Sequence, residues 1–394
     1  MADHEYGIAD FKCIAAGAAI LASGGGGSYR DAVKVLDEFG ESGWRGVVEV
    51  QAYDGKTNCC VLAMMGSPDA AETMTLPDVE RSIANTVSAF EHSTGNLLEC
   101  VIPVEIGPIN SIVPLIAAAM SGNAIAWVVD GDGAGRAVPE LPQTTYSADL
   151  PASPCALAND GATRGNIQSA VLNAPDAALV ESLAGGIVSA FGSFSGIALW
   201  PSNAENGFAL DGSYIEGTLA QTRDLGKFLL DSSSPPSTGA VSEKISKLTG
   251  RNALPVLVNF YITFVSESTT SASLDAGIIR LDNSPEQSAS METHYIYNLN
   301  ENLIMYSSRS SMPDIIAPDS ICYYSESTGL GFSNAEDDLA EYFDFESGKS
   351  TGKKVSVIKI EAAPKLRNAP GVLSSFAGLL RNIGYAGALP YLHE

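Results

Sequence analysis

Histidine and basic residues are scarce in this chain. Of 394 residues only four are histidine, and 22 Lys+Arg stand against 46 Asp+Glu, a formal net charge of −24. A surface that acidic repels a nucleic-acid backbone and an anionic membrane alike, which argues against both as partners. No apolar run reaches about 18 residues, so no membrane-spanning helix is expected. The acidic start, MADHEYGIADF, lacks the basic region of a secretory signal. The six cysteines (Cys13, Cys59, Cys60, Cys100, Cys155 and Cys322) include no C-x-x-C pair. They fall mostly in apolar runs, as reduced buried thiols of a cytoplasmic protein do. Cys155 is the exception, because Pro151-Ala-Ser-Pro-Cys reads as an exposed loop. A three-histidine zinc site is hard to build here. His4 and His393 lie at the termini, His92 closes a helix before Gly95, and His294 falls in a surface or β segment.

What the chain does contain is apolar residues and loops. It is 45% hydrophobic, with 38 Gly and 20 Pro, enough for a large core laced with tight turns. Asp10 is read as the cap of an Ala/Ile-rich helix running to Ala22, and a second helix starts at Ser28 or Tyr29. Val47–Ala52 alternates like a strand, and Cys59–Met65 is continuously apolar, as in a strand buried on both faces. Helix Leu76–His92, strand Cys100–Ile106, helix Ser111–Ser121 and strand Ala124–Asp130 follow. That alternation predicts an α/β fold with a parallel or mixed sheet. Pro114 suits the first turn of its helix. Helices are expected at Pro175–Phe191 and Ile215–Leu230, joined by the Gly/Ser-rich stretch Gly192–Ser213. The run beginning Asp231-Ser-Ser-Ser-Pro-Pro reads as a linker. β-type runs then dominate: Leu254–Val265, Gly277–Leu281, Glu301–Tyr306, Ile321–Tyr324 and Val355–Ile360. The expected division is an α/β domain over residues 1–170 and a β-rich domain, begun by helices, over residues 171–394.

Ligands of open parallel sheets bind beyond the carboxyl ends of the strands. Three loops should emerge there. Gly24-Gly25-Gly26-Gly27 opens a helix and offers free amides to an anion, or is a plain interhelical turn. It is neither a dinucleotide fingerprint, since Tyr29 stands where the third glycine belongs, nor a P-loop, since no Gly-Lys-Ser/Thr follows. Glu105-Ile-Gly-Pro-Ile-Asn110-Ser111 ends a strand with a candidate general base in Glu105. Asn110 and Ser111 serve there as ligand donors or as helix caps. Asp130-Gly-Asp132-Gly-Ala-Gly-Arg136-Ala-Val-Pro-Glu140 carries two carboxylates one glycine apart. They can bind one cation, or one can hold a proton for the other; a polar turn with an Asp130–Arg136 ion pair is the plainer alternative. Arg30, Arg136 and Arg164 are the local cations. A mixed metal site of His92 with Asp130 and Asp132 is conceivable, zinc being the first choice. An EF-hand is excluded by spacing.

Leu21-Ala-Ser-Gly-Gly-Gly-Gly-Ser, Glu105-Ile-Gly with Asn110-Ser111 and Pro114-Leu115, and Asp130-Gly-Asp-Gly-Ala-Gly-Arg-Ala-Val-Pro-Glu-Leu-Pro-Gln-Thr-Thr occur in that order. Together they resemble the S-methyl thiohydantoin desulfurase family, formerly of unknown function and associated with hydantoinases. The likeness covers residues 8–170 well. It extends more weakly to Met312-Pro-Asp-Ile-Ile-Ala-Pro-Asp-Ser-Ile-Cys322 and Glu326-Ser-Thr-Gly. It departs from the family at Pro108-Ile109, where glycine is usual, and at Val138; the first change reshapes the loop and bears on substrate choice. The resemblance implies hydrolytic loss of thiol or sulfide from C2 of a small cyclic thioamide. On that reading Glu105, Asp130 or Asp132 activates water, directly or through a metal. Arg136 and Asn110 orient the ring, the glycine amides line its anionic end, and Ser111 and Glu140 complete the site. A homo-oligomer is expected, with a hydantoinase-type partner conceivable. A non-catalytic subunit of such a partner and a phosphate- or nucleotide-binding enzyme stand as alternatives.

Overall fold

The computed structural model describes residues 4–66, 75–120, 124–161, 166–192, 194–208, 210, 212–269 and 274–390. Arg164, His393 and the Ser67-Pro68 turn lie outside them. In chain order the first part comprises β1 (Glu5–Tyr6), α1 (Ile8–Leu21), α2 (Tyr29–Glu41), β2 (Val48–Gln51), β3 (Cys59–Gly66), α3 (Leu76–Thr94), β4 (Cys100–Pro103), α4 (Val113–Ala119), β5 (Trp127–Val129), β6 (Gly131–Asp132), α5 (Tyr146–Asp149), β7 (Cys155–Ala158), β8 (Ser169–Leu172), α6 (Ala177–Phe191), β9 (Phe194–Ser202), β10 (Ile215–Glu216) and α7 (Thr218–Leu230). None of the described helices is long and apolar enough to cross a membrane.

The main sheet runs β1-β2-β5-β4-β3-β9-β7-β8. Strands β2, β5, β4 and β3 are parallel, and the edges are antiparallel. The sheet is therefore mixed. Along β3 the pleat sends Cys60, Leu62 and Met64 into the core shared with α1 to α4, and Cys59, Val61 and Ala63 into the core shared with α5 and α6. Burial on both faces is what the unbroken apolar run foretold. Helix α1 begins two residues before the expected Asp10, at Ile8. Gly7 is the cap, and Asp10 accepts the Gly7 N–H at 3.0 Å from within the first turn. Two stretches were misread. Gly192–Ser213 is not a connector, because β9 within it lies beside β3 at the middle of the sheet. Cys155 is not an exposed loop thiol, because it sits in β7 with no solvent exposure, and burial raises its pKa. The cysteines are free, and all but Cys13 are buried.

The second part comprises α8 (Thr238–Thr249), β11 (Ala253–Thr269), β12 (Asp275–Asp282), β13 (Thr293–Leu299), β14 (Glu301–Ser307), β15 (Pro313–Ile316), β16 (Ser320–Tyr324), α9 (Glu336–Leu339), β17 (Phe343–Asp344), β18 (Lys349–Ser350), β19 (Val355–Ile360), α10 (Pro364–Asn368) and α11 (Val372–Asn382). The proline-rich run at Asp231 joins α7 to α8, a helix the sequence reading passed over. Seven strands form one antiparallel sheet, β15-β14-β13-β12-β11-β19-β16. The 17-residue β11 carries register shifts at three places. Such bulges bend a strand, and the sheet curls into a half-barrel with β16 returning beside β14.

The two parts interlock. Helix α7, from beyond residue 170, packs along α1. Gly17 and Gly226 let the two backbones touch, since a Cβ on Gly17 would stand 3.0 Å from the Gly226 nitrogen. At the other contact Ser23 accepts the Asn302 N–H at its carbonyl (2.8 Å) and the Ile321 N–H at Oγ (2.9 Å). Gly24 accepts the Asn334 N–H at 2.8 Å.

Candidate active site

A cavity of about 110 Å³ opens where β3 and β4 end and the half-barrel meets them. This is the carboxyl edge of the parallel strands, where ligands of such sheets gather. Met64, Met65 and Gly66 from β3, and Val104 and Glu105 after β4, form one wall. Gly26 and Gly27 form a second, α6 and β9 a third, and the β13–β14 turn closes the fourth with Asn300 and Glu301.

Glu105 is 5% exposed. Its Oε1 accepts from Asn110 Nδ2 at 2.8 Å and its Oε2 from the Val138 N–H at 2.7 Å. Burial pushes its carboxyl up to about 7 against those two bonds, and the Asp132 charge adds to the rise. Asn110 is not a helix cap: α4 starts at Val113 with Pro114 in its first turn. Instead its Oδ1 accepts the Met64 N–H at 3.1 Å, so one amide ties the end of β3 to Glu105. Ser111 Oγ accepts the Gly107 N–H at 3.2 Å and shapes the loop from behind without reaching the cavity.

The glycine loop divides in two. Gly24 and Gly25 are buried against the half-barrel, while Gly26 and Gly27 line the cavity. Gly26 has φ +68, and a Cβ there would strike the Gly107 Cα. Only glycine satisfies both demands. The Gly26 carbonyl accepts the Ile109 N–H at 3.0 Å. Ile109 and Val138, both departures from the family pattern, line the cavity, and the Val138 N–H also bonds Glu105.

Only the far end of the acidic loop after β5 reaches the cavity, at Val138, Pro139 and Glu140. Asp132 is fully buried, and its Oδ2 accepts the Ala134 and Gly135 N–H groups, both at 2.7 Å, which folds its own turn. Burial raises it to about 6. Asp130 Oδ1 accepts the Ala220 N–H at 3.1 Å in the first turn of α7. Neither lines the cavity. Arg136 does not line the cavity either, nor is it paired with Asp130. It is fully buried and donates to the carbonyls of Ala137 (2.7 Å), Pro318 (2.9 Å), Asp319 (3.1 Å) and Asn302 (3.1 Å), bolting the first part to the second. Arg30 is exposed and pairs with Glu341. The expected trio of His92, Asp130 and Asp132 does not assemble. α3 carries the chain back to the start of β4, so His92 lies, exposed, at the amino edge, whereas both aspartates follow β5 at the carboxyl edge. Among the described residues no three His, Cys, Asp or Glu side chains are placed to share a metal ion.

Glu140 does line the cavity, half-buried, with its carboxyl raised by burial and bonded to Gln143. Two further glutamates join it that the sequence reading missed. Glu181 of α6 accepts the Leu141 N–H at 2.9 Å and is pushed up to about 7 by burial. Glu301 accepts the Gly26 N–H at 3.3 Å, and burial raises its carboxyl well above the usual range, the Glu105 charge adding to the effect. A signal existed for each. Glu181 is the sole charged residue of α6, and Glu301 follows Asn298-Leu-Asn300, a turn tract that opens a strand. Among the described residues no Lys, Arg or His lines the cavity.

A solved crystal structure of a protein from Chromobacterium violaceum has the same fold. It is 27% identical, with a TM-score of 0.78, over 97% of this chain and 98% of that one. Among curated proteins none matches the chain. Two family models cover nearly its whole length: S-Me-THD-like, N-terminal domain, over residues 9–168 and S-Me-THD-like, C-terminal domain, over residues 175–376. The chain belongs to the S-Me-THD-like family, that of the S-methyl thiohydantoin desulfurases.

Proposed function

We propose that the cavity hydrolyses an uncharged thiohydantoin-type ring at C2, releasing thiol or sulfide. Glu105 carries the reading. It is a carboxyl held near neutrality, fixed by two hydrogen bonds, at the carboxyl edge of a sheet in a desulfurase-like chain. A base whose pKa lies near the working pH is both partly ionised and strong enough to take a proton from water.

The lining supports the choice of ligand. Among the described residues four carboxyl groups and no cation line the cavity; such a wall repels phosphates and carboxylates, which disfavours the nucleotide alternative, and welcomes ring N–H donors. Glu105 takes the proton as the water oxygen attacks C2. Asn110, itself fixed by Met64, holds Glu105 to that line. The test is Glu105→Gln, followed by thiol release from an S-methyl thiohydantoin. The amide keeps the shape and cannot accept the proton, so turnover falls by about 10²–10⁴ with the fold intact. Full activity refutes the assignment.

A further inference from the structure

We propose that Glu301 is the acid that protonates the departing sulfur, opposite Glu105 as base; the inference rests on the hydrolytic reading above. Glu301 reaches the cavity from the other part of the molecule. Asn300 turns the chain between β13 and β14 with φ +55, a conformation asparagine tolerates, and fixes the turn by accepting the Asp275 N–H at 2.7 Å. Glu301 then lies 2% exposed. Its Oε1 takes the Gly26 N–H. Its Oε2 is buried with no hydrogen-bond partner among the described residues.

Ionising an oxygen left that way is strongly unfavourable. A neutral carboxyl with its hydrogen on Oε2 costs far less, and Glu301, a residue of the cavity wall, then carries a donor awaiting an acceptor. Glu105 stands on the other side of the same residue: a Cβ on Gly26 would lie 3.4 Å from Glu105 Oε1. The Arg136 charge pulls both carboxyls down, but burial and their mutual repulsion outweigh it, so two carboxyls flanking one glycine hold one proton more easily than none. Their environments differ in kind. Glu105 has both oxygens bonded by N–H donors, which suits the anion, whereas Glu301 has one oxygen unbonded, which suits the acid.

The chemistry balances with water alone. Glu105 takes a proton from water as the O–C2 bond forms and the C2=N pair moves to nitrogen. It returns that proton to the nitrogen. Glu105 then takes the remaining hydroxyl proton as C2=O forms. The C2–S pair leaves with sulfur, which receives the Glu301 proton. The products are the 2-oxo ring and a neutral thiol, and proton passage from Glu105 to Glu301 resets the pair.

Glu301→Gln tests this with two rings that differ only in the sulfur substituent, methyl and nitrophenyl. A nitrophenyl thiolate leaves without a proton. The variant slows release from the methyl compound by roughly 100-fold or more and from the nitrophenyl compound by less than about tenfold, which also shows that the site is folded. Equal slowing of both in a variant that melts like the parent, or slowing of neither, overturns the role of Glu301 and leaves the hydrolase reading standing. A parent enzyme inert to both compounds overturns the hydrolase reading and this inference with it.

Discussion

The loop after β4 and the loop after β5 look alike in sequence. Each ends a buried parallel strand with a carboxylate, and each follows it with glycine and polar residues. In the folded protein they divide the labour. Glu105 is bonded by a side-chain amide and by the N–H of a distant segment, and its remaining face borders the cavity. Asp132 is bonded by two amides of its own turn, those of Ala134 and Gly135, and is sealed. A carboxylate whose partners lie two and three residues ahead is folding its loop. One whose partners come from elsewhere has been carried to a place.

Exchanging the roles by mutation tests that distinction, and turnover separates the loops most sharply. Glu105→Gln loses about 10²–10⁴ in thiol release, whereas Asp132→Asn, which keeps the acceptor for Ala134 and Gly135, stays within about tenfold of the parent; the contrast is read by steady-state assay of both proteins. Stability reverses the order. Arg136→Met strands four carbonyls at the junction and costs about 3 kcal/mol or more, seen as a lowered urea midpoint, while Glu105→Gln leaves one N–H donor unmet and costs less, about 1–2 kcal/mol.

A third contrast lies in pH. Glu105, with a folded pKa of about 7, binds its proton more tightly folded than unfolded, where the ordinary value is 4.5. Its contribution to stability is complete below about pH 4.5 and is lost as pH rises through 7. Glu181 adds to the loss in the same window and Asp132 up to about 6. Melting temperature therefore falls between pH 5 and 8, and Glu105→Gln flattens that slope by up to about 1.4 kcal/mol per pH unit. Activity moves the opposite way, rising through pH 7 as Glu105 ionises. The smallest effect belongs to His92→Ala, which leaves turnover, melting and metal content unchanged, because the ring is exposed at the opposite edge of the sheet.

Periodicity made the parallel strands and their helices legible, since an apolar run such as Cys59–Met65 can be buried on both faces only in a covered sheet. It also led to Glu105, Asn110, Gly26 and Gly27. It did not show β9, whose Ser195 and Gly196 dilute the apolar signal though the strand is held between β3 and β7. Nor could spacing show that Arg136 reaches Pro318 and Asp319, or that Glu301 meets Gly26. Those partners lie more than 160 residues apart and are joined only by the packing of one half on the other.

The place of β9 has a consequence for how the chain is made. Strand β3 leaves the ribosome with one edge unpaired, and the segment that covers it is synthesised well over a hundred residues later. Through that interval an apolar strand rich in cysteine and methionine presents open backbone groups, the kind of edge that recruits other chains. Nascent protein halted before Phe194 should thus aggregate or seek a chaperone, and the full-length product should not.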